Sequence, residues 1–189
     1  VSDNNNLTIS DLYLNETYNQ SNQSPIINNA YNNFTLSLPD GFYNWRVNVT
    51  DDGGYNASFI TRYFYVDTQN PIIYLLYPNP SATSQSSSLN FYFNATDNFD
   101  PDLICNLSVG EKVDNNIVVT NKANTSRPIT GLTDGLKIWN VSCVDSAGHY
   151  NISENREITI SEAPKISLTT GNLTWFKDNI LLEYTPSDN

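Results

Sequence analysis

The chain has 189 residues, 15% of them charged and 12% aromatic, with a formal net charge of −11 and a pI near 4.2. An acidic surface excludes nucleic acid as a partner, because phosphate binding needs a basic face, and no apolar run reaches the ~18 residues of a membrane span. One His, six Glu and no nucleophile set beside a base leave nothing that reads as a catalytic site, so the chain is read as a non-enzyme.

Asn is the strongest compositional signal, at 29 residues beside 36 Ser and Thr. Such a composition suits disorder, but Trp, Tyr, Phe, Ile and Val recur here in short alternating runs, which disordered low-complexity sequence lacks. No window of helical length carries apolar residues at i, i+3, i+4 and i+7. The punctuation is Asp-Gly, Gly-Gly, Asn-Pro and Ala-Gly, the vocabulary of β-turns. The chain is all-β.

In chain order, the first clear alternation is Asn33–Leu38, which predicts a strand burying Phe34, Leu36 and Leu38. A long strand with Trp45 inward follows the Asp40-Gly41 turn. Over 89–95, Leu89, Phe91, Phe93 and Ala95 share one face, and Asn90, Tyr92 and Asn94 the other. Ile138–Cys143 buries Trp139, Val141 and Cys143. One face dry and one wet is the signature of antiparallel sandwiches.

The chain also repeats itself. Leu38-Pro39-Asp40-Gly41-Phe42-Tyr43-Asn44-Trp45-Arg46-Val47-Asn48-Val49-Thr50-Asp51 aligns with Leu132-Thr133-Asp134-Gly135-Leu136-Lys137-Ile138-Trp139-Asn140-Val141-Ser142-Cys143-Val144-Asp145, at an offset of 94. A second pairing, offset by 91 to 93, sets Pro71-Ile72-Ile73 and Ala95-Thr96-Asp97-Asn98 against Pro164-Lys165-Ile166 and Pro186-Ser187-Asp188-Asn189. A period of ~90–100 residues is the size of one immunoglobulin-like sandwich.

Asp67-Thr68-Gln69-Asn70-Pro71, Tyr77-Pro78, Ala95-Thr96-Asp97-Asn98, Asp134-Gly135, Trp139-Asn140-Val141-Ser142-Cys143-Val144-Asp145 and Ala147-Gly148 together resemble tandem immunoglobulin-like repeats of archaeal and bacterial cell-surface proteins. The resemblance covers essentially the whole chain. It implies an extracellular array of tandem antiparallel sandwiches with a structural or adhesive role. The linkers depart from the pattern, carrying Asn70-Pro71 and Ala163-Pro164 where such repeats carry Pro-Pro.

The repeat predicts boundaries at 1–66, 67–161 and 162–189. Ser2-Asp3-Asn4, Thr96-Asp97-Asn98 and Ser187-Asp188-Asn189 occupy the same point of the period, after its second strand. The expectation is a first sandwich lacking its first two strands, a complete second one, and two strands of a third. Sixty-six residues without two strands bury too little to stand alone comfortably. Either flanking repeats or neighbouring copies are then the partners that complete them.

Four groups of residues carry candidate chemistry. Cys105 and Cys143 are the only cysteines and both point inward on strands that neighbour each other in such folds, so a bridge within one sheet is the expectation and two buried thiols the alternative. Thirteen Asn-X-Ser/Thr sequons mark glycan acceptors: Asn6, Asn15, Asn19, Asn22, Asn33, Asn48, Asn56, Asn94, Asn106, Asn124, Asn140, Asn151 and Asn172. Part of that number follows from strand geometry, since positions i and i+2 share a wet face rich in Asn, Ser and Thr. Asp67, Asp97, Asp100, Asp102 and Asp145 are expected to gather at one end of the central sandwich, where oxygen ligands suit Ca²⁺, although such residues are also ordinary turn formers. No metal site or cofactor is assigned. Exposed Tyr31, Tyr55, Tyr92 and Tyr150 offer rings for a sugar platform, or reflect β-propensity alone. Two functions are carried forward: a structural segment of a glycosylated cell-surface fibre, sheath, surface layer or stalk, joined by strand complementation, and an adhesin or carbohydrate-binding module.

Overall fold

The structure is a computed structural model that describes residues 6–22, 26–27, 30–168 and 184–187. It is all-β, with no helix among the described residues. Contacts divide the chain into Val1–Thr68 (unit 1) and Gln69–Asn189 (unit 2).

Unit 2 contains a two-sheet β-sandwich, antiparallel except for one pair. Its strands are β6 (Ile72–Tyr77), β7 (Ala82–Ser84), β8 (Leu89–Thr96), β9 (Asp102–Val109), β10 (Lys112–Thr120), β11 (Asn124–Ile129), β12 (Gly135–Val144), β13 (Tyr150–Ile152) and β14 (Arg156–Ile160). One sheet has the order β10-β9-β12-β14-β7, with β13 also on β12, and the other β11-β8-β6. The first strand of the sandwich changes sheets: β6 pairs with β8, and after a cis Tyr77–Pro78 bond β7 pairs in parallel with β14. Between the sheets lies a core of seventeen buried apolar residues, among them Phe91, Phe93, Leu107, Trp139, Val141 and Ile158. These are the residues that alternation puts on the dry face of each strand.

Unit 1 has one sheet among its described residues. Its strands are β1 (Leu7–Leu14), β2 (Thr17–Asn22), β3 (Gly41–Asp51), β4 (Asn56–Ser58) and β5 (Arg62–Val66), in the order β2-β1-β3-β4 with β5 also on β3. Register makes it the counterpart of the β10-β9-β12-β14 sheet. Trp45 faces Arg62 as Trp139 faces Arg156, Gly41 faces Val66 as Gly135 faces Ile160, and Tyr13 faces Tyr18 as Ser108 faces Val113. The turns repeat as well. Asp51 and Asp145 each accept the N–H four residues on, from Tyr55 and His149, both at 2.8 Å. Asp40 and Asp134, which open β3 and β12, accept hydrogen bonds from the equivalent Thr68 and Glu162.

Two differences from the sequence reading follow from what covers each sheet. The strand expected at 33–38 is not a strand, although Phe34, Leu36 and Leu38 are still less exposed than Asn33, Thr35 and Ser37. Its counterpart β11 is held by pairing to β8, and unit 1 offers no such partner among its described residues. Burial differs likewise: among the described residues of unit 1, only Leu7, Leu12 and Val49 are buried apolar side chains.

A separate two-stranded sheet in unit 2 joins β15 (Lys165–Leu168) to β16 (Tyr184–Ser187). Its pairs are Lys165↔Ser187, Ile166↔Pro186, Ser167↔Thr185 and Leu168↔Tyr184. Shifted by the repeat, they are the pairs Ile72↔Thr96, Ile73↔Ala95, Tyr74↔Asn94 and Leu75↔Phe93 of β6 and β8. The pairing register of β6 with β8 therefore occurs twice in the chain.

Candidate functional site

The inner face of the unit 1 sheet is an open apolar surface. Alternation on β1 and β3 sends Leu12, Trp45, Val47 and Val49 to it, and with Phe34 and Leu36 they line a cavity of about 710 Å³. In unit 2 the equivalent face is filled by Phe91 and Phe93 of β8, and Phe91 meets Trp139 edge-on at 5.1 Å. The cavity of unit 1 thus lies on the face that corresponds to the one covered by β6 and β8 in unit 2.

The outer face of the same sheet carries rings. Tyr13 on β1 and Tyr18 on β2 meet edge-on at 6.1 Å. The Arg46 guanidinium lies 4.2 Å from the Tyr13 ring centre and 3.6 Å from a Glu16 oxygen. Further along β3, Phe42 lies parallel to Tyr63 at 5.7 Å and 4.9 Å from Tyr65, both on β5. Of the residues expected to offer rings, Tyr31, Tyr55, Tyr92 and Tyr150 are exposed, but none joins this group. The signal that finds it is cross-strand register, which brings Tyr63 and Tyr65 beside Phe42 from twenty residues away.

Cys105 and Cys143 are bonded, with Cα atoms 4.1 Å apart, as direct partners on β9 and β12. The bridge staples neighbouring strands of one sheet rather than the two sheets.

The acidic loops of unit 2 are occupied with their own turns. Asp97 Oδ1 accepts the N–H groups of Phe99 and Asp100, Asp102 accepts from Thr120, and Asp100 accepts from Ser146 N at 2.6 Å. Asp145 Oδ2 meets His149 Nδ1 at 3.0 Å. Asp100 thereby ties the 97–102 loop to the turn after β12, while Asp67 belongs to unit 1.

The sequons differ in what holds their amides. Asn15, Asn19, Asn33, Asn56 and Asn124 are exposed, as is Asn6. Asn94, Asn140 and Asn151 use Nδ2 as a donor, to Lys122 O, Asn155 Oδ1 and Pro71 O. Asn48 and Asn106 accept through Oδ1, from Arg46 and from Asn116 N. Asn172 lies outside the described residues.

No family model matches the chain, and no curated protein matches its sequence. Among solved structures it is similar to the fibronectin(III)-like modules of Clostridium thermocellum CbhA, at 14% identity and a TM-score of 0.45, over 95% of this chain and 87% of that one. It is also similar to SGBP-B of the Bacteroides ovatus mixed-linkage glucan utilization locus, solved with a mixed-linkage heptasaccharide, at 12% identity and a TM-score of 0.29. That match covers 92% of this chain, which spans 43% of the other's length.

Proposed function

We propose that the chain is a structural segment of an extracellular, N-glycosylated array of immunoglobulin-like sandwiches, in which the β15–β16 hairpin of one copy covers the unit 1 sheet of the next. The observation that carries this is the register match: the hairpin pairs as β6 and β8 do, and unit 1 has the sheet that such a hairpin covers. Adding strands satisfies backbone groups and apolar surface together, and a head-to-tail contact that does not close propagates as a filament. The disulfide and the density of sequons support an oxidising, surface-exposed setting.

Sedimentation of the full chain tests the joint. Concentration-dependent association is expected, accompanied by slowed amide exchange in β1 and β3. Ser167→Pro removes an N–H and a strand geometry from the hairpin and is expected to abolish association while leaving the unit 2 transition unchanged. A chain that stays monomeric with β1 and β3 already protected, or association that survives Ser167→Pro, overturns the joint. Biotinylation of intact cells with an impermeant reagent tests the location; an unlabelled chain refutes it.

A further inference from the structure

We infer that residues 33–38 supply a third strand to the joint between copies, pairing antiparallel along the β16 side of the hairpin that covers unit 1. This rests on the reading that the β15–β16 hairpin of one copy covers the unit 1 sheet of the next, and adds what unit 1 itself contributes to the contact.

The segment already stands where β11 stands in unit 2. Gln20 on β2 faces Leu12 as Asp114 on β10 faces Leu107, so the two are counterparts. Asp114 accepts from Arg127 of β11 at 2.7 Å, and Gln20 Nε2 donates to the Thr35 carbonyl at 3.4 Å. Phe34, Leu36 and Leu38 lie on the less exposed side, as Thr125, Arg127 and Ile129 do in β11.

What differs is the backbone. β11 pairs with β8 through six residues, whereas residues 33–38 make no backbone–backbone hydrogen bond among the described residues. They have the alternation of a strand and lack the neighbour that would pair their peptide groups. The hairpin has the matching lack. β8 lies between β6 and β11, whereas β16, which pairs with β15 in the register of β8 with β6, has no strand on its other side among the described residues. The order β11-β8-β6 is thus divided, one strand's worth in unit 1 and two strands in the hairpin. Joining them satisfies both backbone edges at once.

The alternation also assigns which peptide groups serve the contact. Pro128 has no N–H, and a proline in a paired strand turns that side away from its partner. The N–H groups of β11 that serve β8 are therefore those of Thr125, Arg127 and Ile129. By the same parity Phe34 and Leu36 serve the hairpin and Thr35 turns away, towards the side on which its carbonyl meets Gln20.

Hydrogen exchange of the full chain at low and high concentration, quenched and read residue by residue by NMR, tests the inference. On association the Phe34 and Leu36 amides are expected to slow about tenfold or more, while those of Thr35 and Ser37 stay fast. Thr35→Pro is expected to leave association unchanged, as Pro128 is accommodated in β11. Leu36→Pro is expected to weaken it about tenfold or more beyond Leu36→Ala, which loses the same side chain and keeps the N–H. Exchange in β1 and β3 of each dilute variant verifies that unit 1 is folded, and the parity in the parent chain decides the matter if Leu36→Pro is not. Association that protects β1 and β3 but leaves Phe34 and Leu36 fast overturns this inference and spares the reading it rests on. Equal slowing of all four amides, or loss of association in Thr35→Pro, does the same. A chain that does not associate overturns both.

Discussion

Ser10 faces Val49 across β1 and β3 at the register position where Cys105 faces Cys143 across β9 and β12. Ser10 is 4% exposed, and its Oγ has no hydrogen-bond partner among the described residues. Unit 1 therefore has the seat of the bridge without the bridge, and a buried hydroxyl in its place. A Ser10→Cys/Val49→Cys variant is expected to oxidise without other change and to raise the unfolding free energy of unit 1 by up to about 4 kcal/mol on the chain-entropy model, seen as a higher denaturation midpoint. Free-thiol titration and denaturant unfolding check it. In the parent chain unit 1 should open at lower denaturant than unit 2.

Reducing the native bridge should act on unit 2 alone. Cys105 and Cys143 are 38 residues apart, and closing a loop of that size is worth about 4 kcal/mol on the same model. Unfolding with and without reductant should show the later transition move down and the earlier one stay.

Trp45 and Trp139 are equivalent in sequence but not in energy. Trp139 is fully buried against Phe91, and Trp139→Ala is expected to cost about 3–5 kcal/mol. Trp45 is only partly buried beside the open cavity, so Trp45→Ala should cost the isolated chain much less. Addition of a peptide spanning residues 162–189 should widen the Trp45→Ala effect and leave Trp139→Ala where it was.

Glu111 gives a pH signature. Its own backbone N–H holds its carboxyl below the ordinary value, burial opposes this less strongly, and Lys137 and then Lys112 lower it further, with Lys137 Nζ 3.6 Å away. A carboxyl depressed in the folded state contributes stability above its unfolded pKa and loses it as pH falls through the folded value. Carboxyl carbon shifts followed by NMR should place the Glu111 midpoint below the unfolded reference. Lys137→Gln should raise that midpoint part of the way, since the backbone contribution remains.

Sequon occupancy should follow amide access. Asn33, Asn56 and Asn124 are exposed, whereas the Nδ2 atoms of Asn94, Asn140 and Asn151 already donate hydrogen bonds within the chain. Peptide mass spectrometry of native material is expected to find sugar at the first three more often than at the second three. The reverse order would mean that modification precedes folding of these strands.

Much of this architecture is local and therefore legible. Alternation alone separates Phe91 and Phe93 from Tyr92, and aligns Trp45 with Trp139, because a strand has only two faces. What escaped depends on partners. Residues 33–38 alternate like a strand, but pairing is settled by the neighbour, and alternation says nothing about whether one is present. The change of sheet after Tyr77–Pro78 is likewise set by β14, eighty residues away. The ring face of unit 1 escaped for the same reason: Phe42 and Tyr65 become neighbours only once β3 and β5 are in register.

The bridge between β9 and β12 also limits how far unit 2 can lengthen under tension. Residues 105 and 143 stay joined when the sandwich is pulled apart, so the intervening chain, about 130 Å at ~3.5 Å per residue, is withheld from extension. Unit 1 has no such bridge and pays out its whole contour. Under load the two units would behave as a slack link and a short link of one tether.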